Sequence, residues 1–460
     1  MSKRILKSLS LCFALCLLLS CCPGCTLLLS GERTWPFGAK ETPEVGDATA
    51  PPGEDVPAGE TAAPAPTEPI KNTVTFSETT LASTDACVVT ATGFDTDGIW
   101  GPTLNILLEN KSDKTLMFTA ENTTVNGFMC DPYWACEVPA GKKANSQMSW
   151  MDSSLATCGI NYIDRIEFTL RAYDSSNYSG TDVLHEAISL SLDNSTSAPP
   201  VSEVAYANPY PKQTLIDNGS FLVALDNYNP EDSWGATLAL YVENRSDKTL
   251  TYTMDDTVVN GFMCSAYWSC EVAPGKKAIS IVTWSLEQLE KSGVNYPQTV
   301  ACDFRVYDSD DWTADDVYNQ PLSFELTVAS SQPPVREMKF PGGFKEQTIV
   351  DDESVRLVAV GFDTEANWGP TLIFYCENKS DKSLTLMMED VAVNDFVCSP
   401  YWYLEIAPGA KAYSECSWST SDLEANGIAK FEAVDFTLRV YESDNWSGRD
   451  LINGIFRVEF

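Results

Sequence analysis

A unit of about 134 residues is repeated three times along this 460-residue chain, and no insertion or deletion separates the copies. Solenoid repeats are only ~20–50 residues long, so a repeat of this length is a complete domain. The sequence therefore predicts domains at 74–195, 213–329 and 344–460, joined by Pro-rich linkers at 197–211 and 330–343. The residues that recur at this spacing include Trp100, Trp234 and Trp368; Asn110, Asn244 and Asn378; Cys130, Cys264 and Cys398; Trp150, Trp284 and Trp418; and Tyr173, Tyr307 and Tyr441.

Each domain has the residue pattern of a β-sandwich. In the first domain, segments rich in β-branched, aromatic or alternating residues predict strands at 87–94, 103–109, 115–119, 134–138, 144–150, 163–173 and 183–192. Turns separate them, including the hairpin signal Asn126-Gly127. About seven strands in roughly 115 residues predict an all-β chain of three immunoglobulin-like sandwiches.

A short helix is predicted after the strand that ends at Trp150 and its equivalents. In the third copy, Ser421 and Glu424 have the spacing of a capping box, and Gly427 is placed to end the helix. The second copy supports the same prediction with Ser285 and Gln288.

The N-terminus has the order of charges and apolar residues of a secretory signal. A positive region containing Lys3 and Lys7 precedes an apolar run at 9–19 and the small residue Ser20. The sequence therefore predicts a signal peptide at 1–20. Plain secretion and an uncleaved membrane anchor are the alternatives, although Pro23-Gly24 interrupts the apolar run before it reaches the ~20 residues of a span.

The segment Leu18-Leu19-Ser20-Cys21 resembles the lipobox of bacterial lipoproteins. This resemblance implies that Cys21 is diacylated and becomes the new N-terminus, with Cys22 and Cys25 as less suitable candidates. Residues 21–73 are then a lipidated tether rich in Pro, Ala, Glu and Thr, with too little apolar surface to fold. The tether either lifts the domains away from the membrane or is a linker of no particular length.

The charge of the chain excludes several functions. It has 30 Lys and Arg against 65 Asp and Glu, giving a net charge of −35, which opposes binding to nucleic acid. One histidine also leaves no repeated zinc site or Ser/His/Asp triad. We therefore expect no catalytic residues, no metal, no cofactor and no nucleic-acid partner.

Two motifs carry a resemblance to a known family. The run from Trp100 to Leu116, with its Asn-Lys-Ser-Asp-Lys turn, and the run from Val125 to Lys143, with its Pro-Ala-Gly-Lys loop, resemble the immunoglobulin-like domains of unknown function in Gram-positive surface lipoproteins. The resemblance extends over all three domains. It implies a sandwich fold and a non-enzymatic surface protein, since the family supplies no catalytic residues.

Ten cysteines fall in the domains, in groups of four, three and three. Cys130 and Cys136 could bridge a small hairpin, but the third copy has Leu404 where Cys136 would align. Odd numbers argue against a disulfide framework, so we expect mostly reduced, buried cysteines.

Acidic residues cluster in one loop of each copy, most densely at Asp308-Ser309-Asp310-Asp311 and Asp315-Asp316. Dense oxygen ligands can hold calcium. Because the spacing is not that of an EF-hand and Ser176 replaces Asp310 in the first copy, a solvated hairpin is the favoured interpretation.

Aromatic residues are the candidate ligand-binding positions. Neighbours on a strand face opposite sides, so one member of each Tyr-Trp pair should face solvent, where sugar rings could stack on it. The favoured interpretation places Trp100, Trp134 and Trp150 in the sandwich core, as in other immunoglobulin-like domains. The candidates are Tyr133, Trp134 and Tyr178 in the first domain, Tyr267, Trp268 and Trp312 in the second, and Tyr401, Trp402 and Trp446 in the third.

These observations favour a non-enzymatic, lipid-anchored extracellular protein whose tandem domains act as scaffold or protein-interaction units. The alternative is a lipoprotein that binds carbohydrate or peptidoglycan through exposed aromatic residues. The expected partners are the membrane, through the lipid anchor, and a protein or glycan. The oligomeric state and the packing between domains are left open.

Overall fold

The computed structural model of the protein describes residues 74–194 and 213–460, apart from Tyr267, Trp312, Ala329, Ser331, Pro341 and Gly342. The predicted signal peptide at 1–20, the lipidation site Cys21 and the tether at 21–73 lie outside the described residues. The described chain is almost entirely β-structure, arranged as three tandem β-sandwiches, which confirms the predicted fold class. None of the helices in this part of the chain combines the length and apolar character of a membrane span.

The first sandwich, module 1, contains eleven strands and one short helix, Asp152–Thr157. The first and last strands, β1 and β11, form a small separate sheet. The strands are β1 (Val74–Thr75), β2 (Thr79–Ser83), β3 (Cys87–Asp95), β4 (Thr103–Asn110), β5 (Leu116–Val125), β6 (Phe128–Met129), β7 (Ala135–Val138), β8 (Lys143–Ser149), β9 (Arg165–Asp174), β10 (Leu184–Ser191) and β11 (Asp193–Asn194).

Module 2 and module 3 repeat this series of elements. Module 2 has the helix Leu286–Lys291 and the strands β12 (Gln213–Asp217), β13 (Phe221–Asp232), β14 (Gly235–Asn244), β15 (Leu250–Val259), β16 (Phe262–Met263), β17 (Ser269–Val272), β18 (Lys277–Ser285), β19 (Thr299–Asp308) and β20 (Tyr318–Glu325). Module 3 has the helix Thr420–Ala425, the 3-10 turn Ser443–Asn445 and the strands β21 (Gln347–Asp351), β22 (Val355–Asp363), β23 (Thr371–Asn378), β24 (Leu384–Val393), β25 (Phe396–Val397), β26 (Tyr403–Ile406), β27 (Lys411–Ser417), β28 (Ala433–Glu442) and β29 (Ile452–Glu459).

Each module packs two antiparallel sheets face to face. In module 1 the order is β2-β3-β4-β8 in one sheet and β7-β5-β9-β10 in the other. The chain crosses between the sheets after β4, after β7 and after β8, as in immunoglobulin-like sandwiches. The same order recurs in modules 2 and 3.

A fully buried tryptophan lies at the end of the fourth strand of the first sheet in every module. It follows the strand directly in modules 1 and 3 and is the second-last residue of β18 in module 2. Trp150, Trp284 and Trp418 have no solvent exposure, and each lies in a separate hydrophobic core. The indole Nε1 of Trp150 donates to the carbonyl of Cys130 at 2.9 Å. A large buried ring with a satisfied polar atom stabilises a core through both its area and its hydrogen bond.

The short helix begins directly after this tryptophan. In module 2 the predicted capping box of Ser285 and Gln288 is confirmed. In module 3 the predicted box of Ser421 and Glu424 is wrong, because the helix starts at Thr420 with Ser419 as its N-cap. The cap is the residue equivalent to Ser285, and the third helical residue there is Asp422, whose side chain is shorter than that of glutamine.

Adjacent modules are joined end to end by the same contact. At the junction of modules 1 and 2, β6 pairs in parallel with the first residue of β18, and the N–H of Lys277 donates to the carbonyl of Gly127 at 3.0 Å. At the next junction, β16 pairs with the first residue of β27, and the N–H of Lys411 donates to the carbonyl of Gly261 at 2.9 Å.

The second linker reinforces the junction between modules 2 and 3. Val335 forms a β-bridge with Val294, and the hydroxyl of Tyr296 donates to the carbonyl of Gln332 at 2.9 Å. An open cleft of about 480 Å³ remains beside this contact, and Phe340 and Tyr413 are among the residues that line it. The described part of the linker is therefore held against the folded modules.

A buried asparagine organises the turn between the two sheets. In module 3 the side-chain amide of Asn378 donates to the carbonyls of Lys382 at 2.7 Å and Ile406 at 3.0 Å, and its carbonyl oxygen accepts from the N–H and hydroxyl of Ser380. Asn110 and Asn244 form the same network in modules 1 and 2. The polar turn predicted from the sequence is thus locked by a single side chain.

We expect Asn378→Ala to destabilise module 3 by about 2 to 3 kcal/mol, because the substitution leaves the carbonyl of Ile406 buried without this donor. Denaturant unfolding followed by tryptophan fluorescence measures the effect. Asn145→Ala is the matched control, since Asn145 is exposed and its removal should shift the transition little. Equal shifts for the two variants would contradict the proposed role of the buried amide.

Candidate functional site

Each module has one exposed tryptophan in the tight loop before the third strand of its first sheet, which is β4 in module 1, β14 in module 2 and β23 in module 3. In module 1 this loop passes close to the end of β8, and Gly101 has a φ of 101°. A Cβ at this position would lie 2.2 Å from the carbonyl oxygen of Trp150, so only glycine fits. Gly235 and Gly369 have the same constraint in modules 2 and 3. The loop that presents the tryptophan is therefore tightly constrained.

The three tryptophans of this loop are among the most exposed large residues of the described chain. Trp100, Trp234 and Trp368 are 75%, 78% and 85% exposed. The sequence interpretation that placed Trp100 in the core is wrong. Strand β4 starts only at Thr103, so Trp100 lies in the loop outside the pleat, and Trp150 occupies the core instead.

The Tyr-Trp pairs of modules 1 and 3 lie at the end of the last strand of the first sheet, which is β8 in module 1 and β27 in module 3. The N–H of Tyr133 donates to the carbonyl of Ser149 at 2.8 Å, and Tyr401 makes the same bond with Ser417. Both tyrosines are highly exposed, at 77% and 92%. Tyr267, the equivalent in module 2, is outside the described residues.

The tryptophan of each pair points inward. Trp134 and its equivalents Trp268 and Trp402 are half-buried against the cores. Their indole Nε1 atoms donate to serine hydroxyls at 2.9–3.0 Å: Trp134 to Ser146, Trp268 to Ser280 and Trp402 to Ser414. In modules 1 and 3 the neighbouring residues thus face opposite sides, as strand alternation requires, and the tyrosine is the more exposed member of the pair.

We call the surface formed at this strand end the aromatic end of the module. It consists of Trp100 and Tyr133 in module 1, Trp234 in module 2, and Trp368 and Tyr401 in module 3. In module 1 the backbone of Tyr133 is bonded to Ser149, and the loop that carries Trp100 approaches the next residue, Trp150. Sequence reasoning identified the tyrosines and missed the loop tryptophans; the signal that could have found them is the Trp-Gly pair that recurs in all three copies.

The remaining candidates lie at the opposite end of the sandwich. Tyr178 and Trp446 are in the connection between the last two strands, and they are 67% and 55% exposed. This connection follows Asp174, which pairs with the first residue of β5, whereas Tyr133 lies near the start of β4. The eight residues of β4 separate these ends by about 25 Å at ~3.4 Å per residue. Tyr133 and Tyr178 therefore do not form one platform within a module. Trp312 lies outside the described residues.

An arginine side chain binds one carboxylate of each acidic loop. Arg171 binds both oxygens of Asp182 at 3.0 Å, and its guanidinium lies 4.8 Å from the centre of the Tyr178 ring. Arg305 and Arg439 bind Asp316 and Asp450 in the same way. Within the described ranges, no group of three or more His, Cys, Asp or Glu is arranged to hold a metal ion. These ion pairs favour the solvated hairpin over a calcium site.

The cysteines of the modules are free thiols, and eight of the ten are buried. Cys136 pairs with Phe118 across the sheet. Burial raises the pKa of Cys270 and of Cys302 to about 12, so these thiols are protonated at neutral pH and are poor nucleophiles.

Comparison of the sequence with protein-family models and with curated proteins finds no match.

The ion pair between Lys114 and Asp174 gives a pH-dependent contribution to stability. The hydrogen bond from Lys114 is the main cause that lowers the pKa of Asp174 to about 2, and Ser176 adds to it. A carboxylate whose pKa is lowered by folding stabilises the folded state above its unfolded pKa of ~3.9. This contribution is lost as the pH falls from about 4 to about 2.

We expect Lys114→Ala to raise the pKa of Asp174 toward ~3.9, stopping short of it because the Ser176 hydrogen bonds remain. Carboxyl chemical shifts in an NMR pH titration measure the change. Lys143→Ala is the control, because Lys143 pairs with Glu109 and should leave Asp174 unchanged. A titration of Asp174 that is the same in Lys114→Ala and the parent chain would refute the assignment.

Proposed function

We propose that this chain is a non-enzymatic, lipid-anchored extracellular protein whose three modules form an interaction array for other proteins. One observation carries the proposal: an exposed tryptophan, held on a constrained glycine loop, recurs at the same place in all three modules. Large aromatic side chains left in solvent are typical of binding surfaces, because they supply much apolar area at low entropic cost.

The coupling between modules supports an array. Each junction combines a β-bridge with a backbone hydrogen bond, and the described part of the second linker is bound to module 2. Sites held at defined spacing bind a repetitive partner with avidity, so each site can be weak.

The state of the ionisable groups supports a role without catalysis. Asp182, Asp316 and Asp450 are bound by arginine, and burial raises the pKa of core thiols such as Cys270. Groups held in these states are poorly suited to act as a general base or a nucleophile.

The N-terminal pattern supports the location. A basic start, an apolar run and a lipobox-like Cys21 precede a polar segment with the composition of a tether. A tether of this kind lets modules at 74–460 reach partners beyond the membrane surface.

The triple variant Trp100→Ala, Trp234→Ala, Trp368→Ala should bind isolated cell envelopes of the producing organism about tenfold or more weakly than the parent chain. Folding should be unaffected, because all three residues are at least 75% exposed. Co-sedimentation with envelopes measures binding, and the double variant Tyr178→Ala, Trp446→Ala at the opposite end is the control.

The exposed rings also suit sugar stacking, which makes carbohydrate or peptidoglycan binding the second candidate. Envelopes treated with protease should lose binding if the partner is a protein. Loss of binding after digestion of the glycan strands, with protease treatment having no effect, would establish the second candidate instead. Unchanged binding by the triple variant would reject both uses of the aromatic ends.

Cys21→Ser should abolish both incorporation of a labelled fatty acid and retention of the chain in the membrane fraction. A single acyl chain gives only marginal membrane binding, so two chains on one cysteine are needed for stable anchoring. Cys22→Ser and Cys25→Ser are the matched controls and should be labelled normally. Retention of the Cys21→Ser chain in the membrane would favour an uncleaved anchor.

A further inference from the structure

Each module carries a two-residue ribbon, β6, β16 or β25, which we call the docking ribbon. In modules 1 and 2 the next module covers it. Phe262 of the second ribbon is only 9% exposed and stacks on Tyr413 of module 3, with ring centres 5.7 Å apart. The sulfur of Met263 accepts from the N–H of Ala407.

The equivalent ribbon of module 3 is open. Phe396 is 51% exposed and Val397 is 78% exposed, although they occupy the positions of Phe262 and Met263. The backbone still forms the same antiparallel pairing with the preceding strand. The ribbon is thus built as in the covered copies and presents its apolar side chains to solvent.

The surface that receives a ribbon is the start of the last strand of the first sheet, and we call it the receiving edge. On module 1 the receiving edge is exposed. Lys277 and Lys411 at this edge are half-buried in modules 2 and 3, whereas Lys142, Lys143 and Asn145 of module 1 are all exposed. The array therefore has an uncovered ribbon at one end and an uncovered receiving edge at the other.

The two open surfaces carry residues of opposite charge at the junction positions. At the first junction, Lys276 pairs with Glu167. The second junction has Ala410 and Ala301 at these positions, whereas the open surfaces have Lys142 and Asp435, and Asp435 already pairs with Arg457 of its own module at 2.7 Å. The third ribbon also has Asp395 where the others have glycine, which places a further carboxylate beside the position of Lys143.

We propose that the docking ribbon of module 3 binds the receiving edge of module 1 in a second copy of this chain. The N–H of Lys143 would donate to the carbonyl of Asp395, as Lys277 does to Gly127 and Lys411 to Gly261. Phe396 and Val397 would be covered by the incoming strand, and Lys142 would lie near the ion pair of Asp435 and Arg457.

This contact is heterologous, since different surfaces meet on the two copies. Repetition of such a contact gives open linear chains, or rings where the rotation between copies closes, rather than a two-fold symmetric dimer. The aromatic ends remain exposed at both junctions within the chain, as Trp100 and Trp234 show. The inference therefore stands or fails independently of the partner proposed for the aromatic ends.

Sedimentation equilibrium of residues 64–460, which contain all three hydrophobic cores, tests the proposal. Without the linker that raises the local concentration between modules, we expect a Kd of about 10 to 500 µM, as for small transient interfaces. The weight-average mass should rise continuously with concentration. A mass that stays monomeric up to about 500 µM, or that levels off at a dimer, would overturn the proposal.

Three variants identify the surfaces. Val397→Asp should abolish association at the ribbon, and Lys142→Glu should weaken it about three- to tenfold at the receiving edge. Asn145→Tyr should strengthen it about two- to tenfold, because Asn145 aligns with Tyr413 and a tyrosine there recreates the stack with the ribbon phenylalanine.

Ile455→Asp is the matched control for Val397→Asp. Ile455 is 83% exposed on β29, away from the ribbon, so its substitution should leave association unchanged. Circular dichroism confirms that both variants are folded. Equal loss of association in the two variants would show nonspecific apolar contact and overturn the assignment, as would undiminished association of Val397→Asp.

Discussion

The buried tryptophan at the end of the last strand of the first sheet is the residue on which most of each module depends. Trp150 fills the core, and its carbonyl requires glycine at position 101. That glycine turn directs Trp100 into solvent, while the carbonyl of the preceding Ser149 holds Tyr133. The short helix also begins within two residues of Trp150. The backbone carbonyls of this packed residue and of its predecessor thus position an exposed aromatic pair.

Both junctions have the same orientation, with the ribbon of one module bound to the next module along the chain. The same ribbon and receiving edge meet at both junctions, and the supporting contacts differ: Glu167 with Lys276 at the first, and Lys291 with Glu415 at the second. The backbone bridge is common to both junctions, so the side chains around it can differ between them. A contact that relies on main-chain atoms tolerates substitution, which explains how Ile279 and Tyr413 can occupy equivalent places.

Much of the fold could be predicted from the sequence, because the same strand pattern occurs in three copies and each copy supports the prediction made from the others. The all-β class, the turn at Asn110 and the cap at Ser285 follow from local rules. The cap predicted at Ser421 was wrong by two residues, because the helix starts at Thr420 with Ser419 as its N-cap. The candidate site was half predictable: alternation explained Tyr133, but Trp100 required knowledge of which tryptophan fills the core.

The sequence by itself determined the three-fold repeat, the sandwich class, the acidity of the chain and the positions of its turns, because these depend on spacing and on the chemistry of single residues. Only the tertiary structure decided that Tyr133 and Tyr178 lie at opposite ends, that arginines occupy the acidic loops, and that Phe262 is covered while Phe396 is open. These properties depend on which distant segments meet. Equivalent residues of different modules differ in exposure when the segments packed against them differ.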